Sequence, residues 1–331
     1  MTRRRNAPIV RAAIVGAGRM GRWHARAAAA SGGVVMAVAD HDLERARGLA
    51  GDASAVASLA ALGPSPGLDV VHVCTPVDSH ADIVRMAVGA GAHAIVEKPL
   101  ARDAAASRTL IAEASAAGRF VVPVHQFVFQ PGVQRILGRL DELGGLVRCA
   151  FLAASAGTEA TGIDADELVS EILPHPLSLF GRLTPLDVGG LDWRVIRPAA
   201  GELRAIALAG SISLEIVLTA HARPTTTTLD VMGTKGTARA DLFHGFATFE
   251  RGRTSRGTKL TGPFTRSTRT LFDAGTNLAA RTFGWEPAYP GLRELVRRTY
   301  AAIASGGAPP VTTSETLGVA VARDSILSAE R

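Results

Sequence analysis

Residues 12–21 read Ala-Ala-Ile-Val-Gly-Ala-Gly-Arg-Met-Gly. Ala12 to Val15 is a short apolar run of the kind buried on both faces of a sheet, and the residues after Gly21 read as a helix, so the glycines fall in a strand-to-helix turn. In that context each glycine has a task. Gly16 permits the tight turn, Gly18 lets backbone approach a pyrophosphate, and Gly21 lets the helix pack closely on the strand; the helix N terminus at Arg19 and Met20 then faces the phosphates. The next apolar run, Val34–Ala39, ends in Asp40, about 20 residues beyond the last glycine, where an acid accepts hydrogen bonds from an adenosine ribose. Together the two features predict dinucleotide binding, the alternative being a glycine turn and a helix-capping aspartate. A carboxylate at Asp40 also repels a 2′-phosphate, whereas Arg45 and Arg47 lie well into the following helix, so NAD is expected ahead of NADP.

Outward from this motif, the apolar runs Val70–Thr75, Ala94–Glu97 and Phe120–Val124 alternate with helical stretches. Near-continuous apolar strands separated by helices predict a doubly wound parallel sheet covered on both faces, a Rossmann domain over residues 1–124. Past His125 the pattern changes to strand-like runs at Val147–Ala154, Leu203–Ala209, Ser211–His221, Thr226–Met232 and Ala238–Leu242, with Gly233-Thr234-Lys235-Gly236 as a hairpin turn. Residues 125–331 are therefore expected to form an α+β domain with a large, open, mostly antiparallel sheet, its final helix packing back on the first domain. An open sheet with an apolar face predicts a homo-oligomer buried through it.

The chain has 331 residues, is 47% hydrophobic and carries a net charge of +6, enough length for two cores and too diffuse an excess for nucleic acid. Arg3, Arg4 and Arg5 lead into a strand rather than a signal-peptide core, and no run is long enough to span a bilayer, so a cytoplasmic protein is expected. Cys74 and Cys149 stand apart in apolar segments, which fits a reducing compartment and buried thiols; no metal site is expected. From Arg251 to Arg281 strand signals are few, and the stretch reads as a solvated loop ending in an ordinary packing helix with Leu271, Phe272, Leu278, Phe283 and Trp285. The alternative for residues 266–285 is contact with a membrane surface or a partner.

At the carboxyl ends of two predicted parallel strands stand Thr75-Pro76, followed by His80, and Glu97-Lys98-Pro99. Ligands bind at that edge of open α/β sheets, so these residues are placed to touch cofactor and substrate, and partial desolvation of Lys98 would bring its amine toward the range useful for proton transfer. His125 and Gln126, just past the last Rossmann strand, are candidates for substrate contact. His24, in the first helix, reads as a packing residue facing the domain junction.

Gly16–Gly21, Thr75-Pro76 with His80, Glu97-Lys98-Pro99, Val231–Thr237 and the tail Pro310–Ser325 resemble the Gfo/Idh/MocA oxidoreductases, which include glucose–fructose oxidoreductase and inositol dehydrogenase. The resemblance implies that Lys98 is a catalytic lysine near the nicotinamide ribose and that the Lys98–Pro99 peptide is cis. It also implies a second catalytic pair four residues apart, for which this chain offers Glu171 and His175 in Glu-Ile-Leu-Pro-His. Spacing of four places both on one helical face, although glutamate replaces the family's aspartate and Pro174 requires a helix that begins near Glu171 or kinks at the proline. The activity implied is hydride transfer between the nicotinamide and a carbinol or ketone of a small-molecule sugar, cyclitol or polyol. Reduction of a C=N or C=C bond and a catalytically silent, NAD-binding regulator are the alternatives.

Overall fold

A computed structural model describes residues 9–64, 66–155, 164–252, 256–284 and 288–329, with 256–260 and 284 as backbone only. Arg3, Arg4, Arg5 and Trp285, singled out above, lie outside the described residues. The chain forms two compact units, Met1–His125 with Leu292–Ala320, and Gln126–Gly291 with Val321–Arg331. Residues 292–320 thus belong with the first unit rather than the second. Among the described residues no helix is long and apolar enough to cross a membrane.

The first unit opens on β1 (Val10–Val15), α1 (Arg19–Ala30), β2 (Gly33–Ala39), α2 (Leu43–Ala50), β3 (Ser54–Val56), β4 (Val70–Val73) and α3 (His80–Gly89). It continues with β5 (His93–Val96), α4 (Ala104–Ala116) and β6 (Val121–Pro123). The strands are parallel in the order β3-β2-β1-β4-β5-β6. All four residues of β4 are buried, the mark of a strand covered on both faces. One core gathers Val15, Val71, Val73, Val84 and Leu110, and a second gathers Ile14, Val38 and Ala46. The direction of strand addition reverses between β1 and β4, so the loops following these two strands diverge and leave a crevice at their carboxyl ends. The edge strand β3, three residues long, escapes sequence reading because it is too short to show a period.

The second unit contains α5 (Pro131–Leu137), α6 (Leu140–Leu143), β7 (Leu146–Ala154), α7 (Ala165–Ile172), α8 (Pro174–Leu183), β8 (Trp193–Ile196) and β9 (Glu202–Ala209). It goes on through β10 (Ile212–Thr219), β11 (Thr226–Gly233), β12 (Gly236–Asp241), β13 (Phe246–Arg251) and α9 (Arg256–Gly284). Its seven strands run β13-β12-β11-β7-β10-β9-β8, and every neighbouring pair is antiparallel except β7 with β10. Period-two burial marks one covered face: Leu203, Ala205 and Ala207 of β9 are buried while Ile206 and Leu208 are exposed. Val147 and Leu152 of β7 are likewise exposed. Thr234-Lys235 forms the expected hairpin turn between β11 and β12.

One expectation is corrected here. The stretch read as a solvated loop with a packing helix is one continuous helix, α9, of 29 residues with Pro263 inside it. Threonines that argue against a helix by propensity turn their hydroxyls onto its own carbonyls, Thr268 to Phe264, Thr270 to Arg266 and Thr282 to Leu278. Phe264, Leu271, Phe272, Leu278 and Phe283 of α9 are 67–86% exposed, so they are not the ordinary core that their spacing implied. The helix before His175 follows the second course that Pro174 left open, a break at the proline rather than a start near Glu171. It begins at Ala165, where the Asp164 carboxylate accepts the Asp166 and Glu167 N–H groups, and it is interrupted at Pro174, which starts α8.

The chain closes with α10 (Leu292–Ser305) and α11 (Thr313–Ser328). In the first unit α10 packs on α1 and β1, and it is so close to the start of β2 that a Cβ on Gly33 would meet the Tyr300 ring at 2.4 Å.

Candidate active site

Gly16 leaves β1 with φ 96°, and a Cβ there would stand 2.7 Å from the Cys74 carbonyl oxygen. The turn therefore needs glycine twice over, for conformation and for space. Gly21 is as constrained, since its Cβ would lie 1.9 Å from the Gly16 oxygen, while a Cβ on Gly18 would meet nothing within 4 Å. Gly18 is the N-cap of α1 and offers no side-chain cap, and no acidic residue stands in the first turn. An uncapped helix N terminus beside an open glycine is an anion cradle. These residues fit a dinucleotide pyrophosphate, which the backbone of Gly18, Arg19 and Met20 would hold.

Asp40, at the end of β2, accepts the Ala17 N–H at 2.7 Å through Oδ2 and the Asp42 N–H at 2.9 Å through Oδ1. It is Asp42 that caps α2, so Asp40 is not the helix cap weighed above. The carboxylate thus ties the glycine loop to the second strand and keeps further lone pairs for a ribose hydroxyl.

The loops after β4 and β5 are locked together. His80 is buried, with Nε2 2.8 Å from the Thr75 oxygen and Nδ1 3.0 Å from the Pro99 oxygen. Ser79 Oγ donates to Thr75 Oγ1 at 2.7 Å. His80, expected to touch cofactor, braces the Thr75-Pro76 loop against the Lys98–Pro99 peptide, which is cis as the resemblance implied. Glu97 also turns inward: it is buried and bonded through Oε1 to His24 Nε2 at 3.1 Å, with Oε2 accepting the Lys98 N–H at 3.3 Å. Burial opposes its charge, but the hydrogen bond from His24, with Lys98 beside it, holds the carboxyl below the usual range. Lys98 itself is half-buried. His24 is more than a packing residue, since both its ring nitrogens are engaged. His72, a polar residue inside the apolar Val70–Val73 run, was the one overlooked signal of this interior network. His125 is buried within the first unit.

In the second unit Gln126 is buried. Glu171 stands half-buried in the last turn of α7, and His175 is buried in the first turn of α8. The His175 ring stacks on Phe127, centroids 4.2 Å apart, and Ser178 Oγ donates to the His175 carbonyl at 2.9 Å. Phe127 thereby fixes the plane of the imidazole, a constraint no spacing rule reveals. Burial pushes the Cys149 thiol up to about 12, so it is no nucleophile at neutral pH.

Residues 10–125 match the model of an oxidoreductase family with an NAD-binding Rossmann fold. Over 327 residues the chain is 28% identical to D-apiose dehydrogenase of Paraburkholderia graminis, an alignment covering 92% of this chain and 83% of that one. Among solved structures it is similar to a dehydrogenase from Bordetella pertussis in complex with NADH and UDP-GlcNAcA, with a TM-score of 0.74 at 14% identity over 96% of this chain and 94% of that one. It is also similar to a 3-ketoreductase from Actinomadura kijaniata in complex with TDP-benzene and NADP, with a TM-score of 0.74 at 18% identity over 97% and 98%. These two likenesses are of fold.

Proposed function

We propose that this chain, a member of the Gfo/Idh/MocA oxidoreductases, transfers a hydride between NAD(H) and a carbinol or ketone of a sugar, cyclitol or related polyol. The observation that carries the proposal is Lys98, standing at the carboxyl edge of a parallel sheet whose glycine loop is built as an anion cradle. The bound nicotinamide supplies the hydride acceptor or donor. Lys98 takes the hydroxyl proton in oxidation and returns it in reduction. His175, its ring plane fixed by Phe127, is assigned to the same proton traffic, and Glu171 to holding a neighbouring hydroxyl. Gly18, Arg19 and Met20 hold the pyrophosphate, Asp40 the adenosine ribose, and Thr75 and Pro76 the nicotinamide side. His125 and Gln126 are assigned to substrate.

NAD is the proposed cofactor, because Asp40 repels a 2′-phosphate. A homo-oligomer is proposed through the uncovered sheet face that exposes Leu152, Ile206 and Leu208. The unpaired Cys74 and Cys149 support a reducing, cytoplasmic setting. The test is NADH formation or consumption, followed by absorbance, across a panel of aldoses, cyclitols and their keto forms. Turnover of at least one polyol is the expected result, and turnover confined to imines or enones would replace this reading.

A further inference from the structure

Four buried polar side chains of the first unit make one continuous chain. The Tyr300 hydroxyl, on α10, lies 2.7 Å from His72 Nε2 on β4. His72 Nδ1 lies 2.8 Å from His24 Nδ1 on α1, and His24 Nε2 lies 3.1 Å from Glu97 Oε1 at the end of β5. His24 and His72 are fully buried, and Tyr300 and Glu97 are 3% and 7% exposed.

The order of the partners gives the chain a direction. The Glu97 carboxylate only accepts, so His24 Nε2 donates to it. With one proton on each imidazole, His24 Nδ1 then accepts from His72 Nδ1–H, and His72 Nε2 accepts from the Tyr300 hydroxyl. Burial pushes His72 well below its ordinary value and pushes the Tyr300 phenol up, so His72 stays neutral and the phenol keeps its proton. All three hydrogens point toward Glu97, an arrangement in which each bond polarises the next. Apolar side chains would fill the same volume without the cost of desolvating four polar groups. The retained network ends on the residue that precedes Lys98 and accepts its N–H.

We propose that Tyr300, His72 and His24 are positioning residues for Lys98: acting through one another they hold the Glu97 carboxylate fixed and charged behind the Lys98–Pro99 turn, and so set the orientation and reactivity of the lysine amine. The proposal rests on the reading of Lys98 as the proton-transfer group. It explains why α10, far along the chain, sends a tyrosine into the interior of the nucleotide-binding unit.

The test compares full-length Tyr300→Phe, His24→Leu, His24→Gln and Lys98→Ala. Glutamine at position 24 still offers an acceptor to His72 and a donor to Glu97, whereas leucine offers neither. Two readouts are taken: steady-state turnover, and the rate at which an amine-acylating reagent labels Lys98 relative to the exposed Lys235, read by peptide mass spectrometry. In Tyr300→Phe and His24→Leu, kcat should fall about tenfold with the cofactor KM within about twofold, and Lys98 labelling should shift about threefold or more, the scale of a misplaced rather than a missing group. His24→Gln should recover both. Unchanged kcat and labelling in folded Tyr300→Phe, while Lys98→Ala abolishes turnover, overturns the relay and leaves the functional reading standing. A labelling shift in a protein that turns over no sugar or polyol does the reverse. Should His24→Leu fail to fold, Tyr300→Phe, which removes one oxygen, carries the same comparison. Equal losses in His24→Gln and His24→Leu would make position 24 a packing site and sink the proposal.

Discussion

The Asp40 carboxylate accepts the Ala17 N–H at 2.7 Å, joining the end of β2 to the glycine loop after β1. One carboxylate thus shapes the glycine loop proposed for the pyrophosphate and stands where the ribose is proposed to be read. Calorimetric titration should therefore find NAD(H) bound more tightly than NADP(H). Asp40→Ala should weaken NAD binding by about tenfold or more, the scale of losing a hydrogen bond to a charged acceptor. Tighter NADP(H) binding by the unaltered protein would reverse the assignment.

The three glycines of the loop are expected to separate stability from binding. Gly21→Ala drives a Cβ onto the Gly16 carbonyl and should destabilise the fold by roughly 1–3 kcal/mol, as overpacking does. At Gly18, with φ −72° and open space beyond, alanine should leave Tm within about 3 °C while NAD affinity falls, because the methyl occupies the approach of the phosphates. Thermal melts with and without NAD distinguish the two cases.

Lys98→Ala should cut turnover by at least about a hundredfold, the lower scale for a positioned acid–base group, in a protein whose circular dichroism is unchanged. Near-normal turnover would remove Lys98 from the mechanism.

His175 and Glu171 should differ in which constant they move. His175→Ala is expected to lower kcat more than it raises KM, and Glu171→Gln to raise KM chiefly, since one is assigned to proton transfer and the other to orientation. Phe127→Leu, which removes the ring that stacks on His175, should mimic a milder His175→Ala. If His175→Ala leaves kcat intact, the proton moves through Lys98 alone.

Acid should loosen the first unit through His93. Burial, together with the charge of Arg119, lowers its pKa to about 4, against a smaller upward pull from Asp69. Its Nδ1 accepts the Phe120 N–H at 3.2 Å, a bond that protonation at that nitrogen abolishes. Folded, the ring binds fewer protons than in the unfolded chain between about pH 4 and 6.5, so this contribution is full above 6.5 and is lost as pH falls toward 4. Buried His72 acts in the same sense. Denaturant midpoints measured from pH 7 to 4 should fall, and fall less for His93→Gln; a parallel decline in both proteins would discharge His93 of the effect.

What the sequence determined by itself was whatever local pattern encodes. The apolar run at Val70–Val73 names a parallel strand because burial on both faces leaves it no polar period. Gly16, Gly18, Gly21 and Asp40 declare their tasks because backbone conformation and helix-terminus chemistry act over a few residues. Tertiary structure alone decided the rest. Glu97 and His80 stand in the motif that names the site, yet their side chains turn inward to His24 and to backbone carbonyls, a direction that spacing along the chain does not carry. The His72–Tyr300 bond joins residues 228 positions apart, and the stack of Phe127 on His175 likewise joins distant segments. Helix α9 formed where threonine and glycine argued for a loop, and Thr268 and Thr270 turn their hydroxyls back onto its own carbonyls. Periodicity reports which face an element buries; which particular side chain meets which is settled only when distant segments pack and each buried polar atom must find a partner.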